Sequence, residues 1–185
     1  TIPSIGANTA LPFTFATGAN LAANGNHLLE TDVLYASDSF DDNDTLSLTL
    51  VNAPVISSFP HLEDFELNNG YWYTGGKFSS WEYGTPSSVK LKRAASGSKA
   101  WKTRLNGTYN DGELSYLYSP CYDVSALTNP TISFSLSFDL EDCGGTLCDG
   151  AYMEYSLDGN TWTRLGANGQ GTNWYNKASA GNNLW

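Results

Sequence analysis

The strongest constraint on this chain is a stretch of strict alternation. Between Thr131 and Leu140, Ile132, Phe134, Leu136, Phe138 and Leu140 take every second place, separated by Ser133, Ser135, Ser137 and Asp139. A period of two sends alternate side chains to opposite faces of an extended strand. The stretch therefore predicts a strand with one buried and one wet face. An acidic loop follows, Glu141 to Gly150, and then a second strand with Ala151, Met153 and Tyr155 on one side. Asp158-Gly159 is a tight hairpin pair, and residues 161–165 start the return strand. Strand, turn and strand in this order predict the middle of an antiparallel β-sandwich.

Composition supports an all-β chain. Aromatic residues make up 14% of the 185 residues and charged residues only 15%, which suits a globular protein rich in turns rather than a disordered one. The net charge of −10 argues against nucleic acid, since phosphate binding needs clustered Lys and Arg. It argues equally against docking on anionic lipid. No apolar run approaches the ~20 residues of a membrane helix. The chain opens on Thr1 rather than Met, and is read as a mature or excised piece of a longer protein.

There are three cysteines, Cys121, Cys143 and Cys148. Cys143 and Cys148 flank a Gly-Gly turn, which makes a local disulfide geometrically reasonable; the alternative pairs Cys121 with one of them. A disulfide implies an oxidising compartment. Three cysteines with His27 and His61 lack the paired spacing of a zinc site.

Residues 1–52 read as one unit. Leu11, Phe13 and Phe15 alternate in a first strand, Leu29, Val33 and Tyr35 lie in a second, and Leu46, Leu48 and Leu50 in a third. Three strands cannot bury both faces of a core, so the unit needs completion by upstream chain or by another subunit. Asn20-Leu21, Asn24-Gly25-Asn26-His27, Asp32 and Asn43-Asp44-Thr45-Leu46 together resemble the second half of immunoglobulin-like adhesion modules of the CARDB type. Residues 53–60, with Pro54 and Pro60, read as a semi-rigid linker.

Residues 61–185 form the expected second domain. Its ordered pieces are Asp64-Phe65-Glu66, Trp81-Glu82-Tyr83-Gly84-Thr85-Pro86, Ser96-Gly97-Ser98-Lys99-Ala100-Trp101 and Leu117-Tyr118-Ser119-Pro120. The alternating strand follows, then Asp149-Gly150 and Tyr155-Ser156-Leu157-Asp158-Gly159-Asn160-Thr161-Trp162. This set resembles the MAM-type jelly-roll modules of secreted and cell-surface Bacteroidetes proteins, the adhesin-like cargo of type IX secretion. The resemblance implies an antiparallel jelly-roll β-sandwich, C-terminally incomplete here, behind a partial Ig-like sandwich. In such modules the Glu of Phe-Glu holds a structural cation, a role the resemblance carries to Glu66. Asp64 shares its strand face, and Asp149 is a further ligand candidate for Ca2+, a cation that takes six to eight oxygens.

Other acidic groups read more plainly. Glu141 and Asp142 suit a solvated loop tip. Asp38, Asp41, Asp42 and Asp44 have the density of a calcium loop without the EF-hand order, which makes a polar hairpin turn the default. Thr45 stands in Asp44-Thr45-Leu46, which resembles the Bacteroidetes O-glycosylation acceptor. The Ser156–Trp162 stretch resembles a structural Asp-box hairpin.

Tyr71, Trp72 and Tyr73 are candidate ligand-binding aromatics, since ring faces stack on pyranose C–H surfaces. Trp174 and Tyr175 invite the same reading, whereas Trp81, Trp101 and Trp162 are expected in the core. Catalysis is not expected. Glu63 and Glu66 fall on opposite strand faces, the wrong placing for a glycosidase pair, and no Gly-x-Ser-x-Gly or phosphate-cradling loop occurs. The sequence thus predicts a non-catalytic extracellular adhesion or assembly module of a larger secreted adhesin or fibre. Its partners would be other subunits, neighbouring domains of the same chain, or surface glycans. A carbohydrate-binding accessory domain of a secreted hydrolase or peptidase is the alternative.

Overall fold

The computed structural model of the chain describes residues 5–141, 143–144, 148–179 and 182–185. Among these the fold is all-β: twelve strands, one short 3-10 turn at Asp41–Asn43 and no α-helix. In chain order the strands are β1 (Gly25–Asp32), β2 (Thr45–Asn52), β3 (Val55–Ile56), β4 (Tyr73–Lys77), β5 (Trp81–Gly84) and β6 (Ala100–Thr103). Then come β7 (Leu114–Tyr118), β8 (Cys121–Tyr122), β9 (Glu154–Tyr155), β10 (Thr163–Arg164), β11 (Lys177–Ser179) and β12 (Asn182–Leu184). They pair in twos, giving six two-stranded sheets.

The chain forms two compact units, each built from two separate segments. One takes the chain up to Trp81 together with Asn110–Pro130; the other takes Glu82–Tyr109 together with Thr131–Trp185. Within the expected linker 53–60, Val55-Ile56 forms β3, parallel to β8.

In the first unit, β1 and β2 make an antiparallel hairpin with Leu29 opposite Leu48 and Thr31 opposite Leu46. The base of the hairpin is tied back to the preceding loop. Asn52 Nδ2 donates to the Leu21 carbonyl (2.8 Å), and His27 Nε2 lies 2.7 Å from the Ala23 carbonyl. β4 and β7 pair antiparallel, with Tyr73 opposite Tyr118 and Gly75 opposite Tyr116. Gly76 is required here. Its φ is 94°, and a Cβ would strike the Leu114 carbonyl and the Tyr116 ring.

Glu113 anchors the start of β7. Its carboxylate accepts from Ser80 N (3.0 Å), Ser80 Oγ (2.6 Å), Asn110 N (3.0 Å) and Ser115 Oγ (2.5 Å). Burial pushes its pKa up, but these hydrogen bonds outweigh burial and hold it below the usual carboxylate value.

In the second unit, apolar burial centres on Tyr175 (3% exposed) and Trp185 (8%). Phe134 meets both Trp174 and Trp185 edge-on at 5.6 Å, and the Tyr175 and Trp185 rings lie 4.4 Å apart. The polar ends of the cluster are satisfied: Tyr175 OH donates to the Leu165 carbonyl (2.9 Å) and accepts from Met153 N (3.2 Å). Trp174 Nε1 donates to the same Leu165 carbonyl at 3.1 Å. Trp174 and Tyr175 are therefore core residues, not a sugar platform. Trp162 differs from expectation the other way, being 42% exposed.

The expected strand at 131–140 is absent. The segment runs without turn or bend but joins no ladder among the described residues. Ile132, Phe134, Leu136 and Phe138 remain exposed along it, even though Phe134 touches the ring cluster. Alternation dictates which side chains share a face, not that a neighbouring backbone is in register to pair. The expected first strand at Leu11, Phe13 and Phe15 is likewise unpaired, with the two Phe rings meeting edge-on at 5.1 Å. The Asp158-Gly159 turn does lie between two paired strands, β9 and β10.

Candidate functional site

One face of the β1–β2 hairpin exposes a row of leucines. Successive side chains alternate, so the pairs His27/Leu50, Leu29/Leu48 and Thr31/Leu46 share a face. Leu46 is 70% and Leu48 54% exposed, while Leu29 and His27 are half-buried. The opposite face is mixed: Leu28, 60% exposed, lies across from Thr49, and the pairs beyond it are polar. Ser47 Oγ donates to Glu30 (3.1 Å) and Thr45 Oγ1 to Asp32 (2.6 Å). No third strand pairs with the hairpin among the described residues. An isolated two-stranded hairpin is marginal in water, and covering one leucine is worth roughly 1.5–3 kcal/mol. The bare row of leucines therefore marks a surface with a strong drive to be covered. Thr45, the expected glycosylation acceptor, is exposed at the first residue of β2, on the mixed face.

A second surface lies on β4–β7. Tyr73 stacks on Tyr118 with centroids 4.9 Å apart and planes 20° apart, and Tyr116 continues the row at 5.9 Å from Tyr118. Of the three aromatics singled out in sequence, only Tyr73 belongs to this row. Tyr71 sits in the preceding turn with φ 58°, and Trp72 packs edge-on against Phe65 at 5.7 Å. Tyr116 and Tyr118 were legible only as strand residues. Their grouping with Tyr73 depends on the β4–β7 register, which no local pattern reveals.

Two of the expected cation ligands, Asp64 and Glu66, flank Phe65, and the third, Asp149, follows Cys148. Asp64 and Glu66 stand on a turn rather than a strand edge, because Phe65 between them has φ 63°. Asp64 Oδ1 accepts from Glu66 N (3.0 Å), and Glu63 Oε1 accepts from Phe65 N (2.7 Å). These two acids belong to the first unit and Asp149 to the second. Asp149 accepts from Tyr109 OH at 2.5 Å, and the same hydroxyl accepts from Glu141 N at 3.0 Å. Burial, followed by the Asp149 hydrogen bond, pushes the Tyr109 pKa up. Tyr109 thus bridges the two ends of the acidic loop, which the Cys143–Cys148 disulfide also closes. Cys121 is free and exposed. Asp142 lies outside the described residues.

Among the described residues, Glu141, Cys143 and Cys148 form the one group of three ligand-type side chains within 4.8 Å. Both sulfurs there are in the disulfide, so the group offers one carboxylate and no thiolate.

The Asp38–Asp44 turn reads as polar hairpin chemistry, with Asp38 Oδ1 accepting from Phe40 N at 3.0 Å. Among the described residues, no helix is long and apolar enough to cross a membrane. The disulfide is compatible with an extracellular location. No family model, curated protein or solved structure matches the chain.

Proposed function

We propose that this chain is a non-catalytic adhesion or assembly segment of a secreted or cell-surface protein, completed by a strand from another subunit. The observation that carries this reading is the leucine face of β1–β2, exposed on a two-stranded sheet. Strand addition at such an edge supplies main-chain hydrogen bonds, and packing of the partner's own sheet on the leucine face covers the side chains. An edge left open is otherwise a hazard for uncontrolled pairing. The disulfide and the low density of charge suit life outside the cell.

Sedimentation velocity on the full chain tests the reading. The wild type is expected to associate as concentration rises, and Leu48→Asp to remain monomeric with unchanged circular dichroism. A wild-type chain that stays monomeric to its solubility limit would overturn it.

The tyrosine row on β4–β7 favours the second reading, a carbohydrate-binding accessory domain. That reading expects glycan-array signals that fall on Tyr73→Ala; an array with no signal removes it.

A further inference from the structure

The net charge of −10 conceals a segregation. Six of the nine basic residues are Lys90, Lys92, Arg93, Lys99, Lys102 and Arg104, and no Asp or Glu stands between Glu82 and Asp111. The second unit wraps part of this carboxylate-free stretch around an open groove of about 260 Å³. Arg93, Trp101, Ser135, Leu136 and Ser137 are among the residues that line it.

The cations around the groove are not equally disposed toward a ligand. Lys90 is paired with Asp139 at 2.9 Å. Lys102 is buried, and its ammonium donates to the carbonyls of Thr103 (2.9 Å), Arg104 (2.5 Å) and Gly107 (3.1 Å). Arg93 is exposed at the groove and forms no ion pair among the described residues.

We propose that this groove binds a uronic-acid residue of an acidic polysaccharide, with Arg93 taking the carboxylate. A guanidinium presents a planar fork that matches a carboxylate in two parallel hydrogen bonds. Trp101 and Leu136 offer apolar surface to the C–H face of the sugar. Ser135 and Ser137 carry hydroxyls that both donate and accept, as sugar hydroxyls require. The volume falls just short of the ~300 Å³ at the lower end of sites for drug-sized ligands, which suits one ring presented by a polymer.

Nucleic acid is the wrong occupant. It needs many phosphates neutralised, and outside residues 83–110 the chain sets only Lys77, Arg164 and Lys177 against all nineteen acids. At physiological salt the Debye length is ~8 Å, so a ligand seated at Arg93 responds mainly to the charges beside it. This inference goes beyond the assembly reading and does not depend on it, since the leucine face belongs to the first unit and the groove to the second.

Calorimetric titration of the full chain with oligogalacturonate is the test. The same oligosaccharide with its carboxylates reduced to alcohols and a glutamate-rich peptide serve as comparisons. Saturable binding of the oligogalacturonate is expected, weakened about tenfold or more by carboxylate reduction and by Arg93→Ala, as loss of a charged hydrogen bond implies. Ser137→Ala is expected to weaken binding about threefold and keeps the test readable should Arg93→Ala disturb folding. Lys77→Ala, outside the groove, should bind as the wild type does. The proposal is overturned if oligogalacturonate does not bind, or if both groove variants bind it unchanged. It also falls if the reduced sugar or the glutamate peptide binds as tightly.

Discussion

Glu113, Asp158 and Tyr109 each fasten a local structure through several hydrogen bonds at once. Replacing Glu113 by Ala strands the Ser80 and Asn110 amides together. Stability should fall by roughly 1–3 kcal/mol in urea unfolding, the usual penalty of unsatisfied polar groups; an unchanged midpoint would show the anchor to be idle. Asp158 accepts from Asn160 N (2.8 Å), Thr161 N (2.7 Å) and Ser156 Oγ (3.0 Å). These bonds, that of Thr161 N first, lower its pKa to about 2. A depressed carboxylate stabilises the fold above its unfolded pKa and loses that effect as pH falls through the folded one. The Asp158 turn should therefore hold down to near pH 2. Carboxyl-carbon NMR should show a midpoint there, and one near 4 would contradict the hydrogen-bond pattern. Tyr109→Phe should leave the fold intact yet speed exchange at the Glu141 amide, whose hydrogen bond it removes.

At the level of elements, β2 and β7 stand where alternation predicts them. Leu46, Leu48 and Leu50 lie in β2, and Leu114, Tyr116 and Tyr118 in β7. The Asp158-Gly159 turn was legible for a different reason: its side chain closes its own backbone, so no distant partner is needed. The segment 131–140 carries the cleanest pattern in the chain and still forms no ladder. A ladder needs a second backbone in register, and that information lies outside the segment. The same reason hid the Tyr73–Tyr118 stack and the β3–β8 pairing. Self-association through β1–β2 should strengthen with added salt, because screening relieves repulsion between copies of charge −10 while leaving apolar contact intact. Sedimentation at two ionic strengths checks the sign; weakening by salt would point to ionic contacts instead.

Across the described residues, the buried large apolar side chains are two rings, Tyr175 and Trp185. Trp185→Ala removes the partner of Phe134, Trp174 and Tyr175 together. Denaturant unfolding should register a loss of about 3–5 kcal/mol, the range for an aromatic truncated in a core. Sequence singled out Trp174 and Tyr175 but could not tell ring platform from ring core, because composition is the same in both. It also summed charge over the whole chain, and a sum of −10 hides the carboxylate-free run that borders the groove. The Asp64-Phe65-Glu66 motif reads as a strand in sequence, and that geometry fails at Phe65, whose positive φ makes the local path a turn.

Each unit draws on two segments that alternate along the chain, and this governs how the protein can be made. As the nascent chain leaves the ribosome, β3 must wait for β8, and Phe134 must wait for Trp174 and Trp185. Neither unit can finish before the other has begun. Cutting the chain after Trp81 should therefore leave the N-terminal fragment without β7 and β8, the partners of its β4 and β3, while the C-terminal fragment keeps both segments of the second unit.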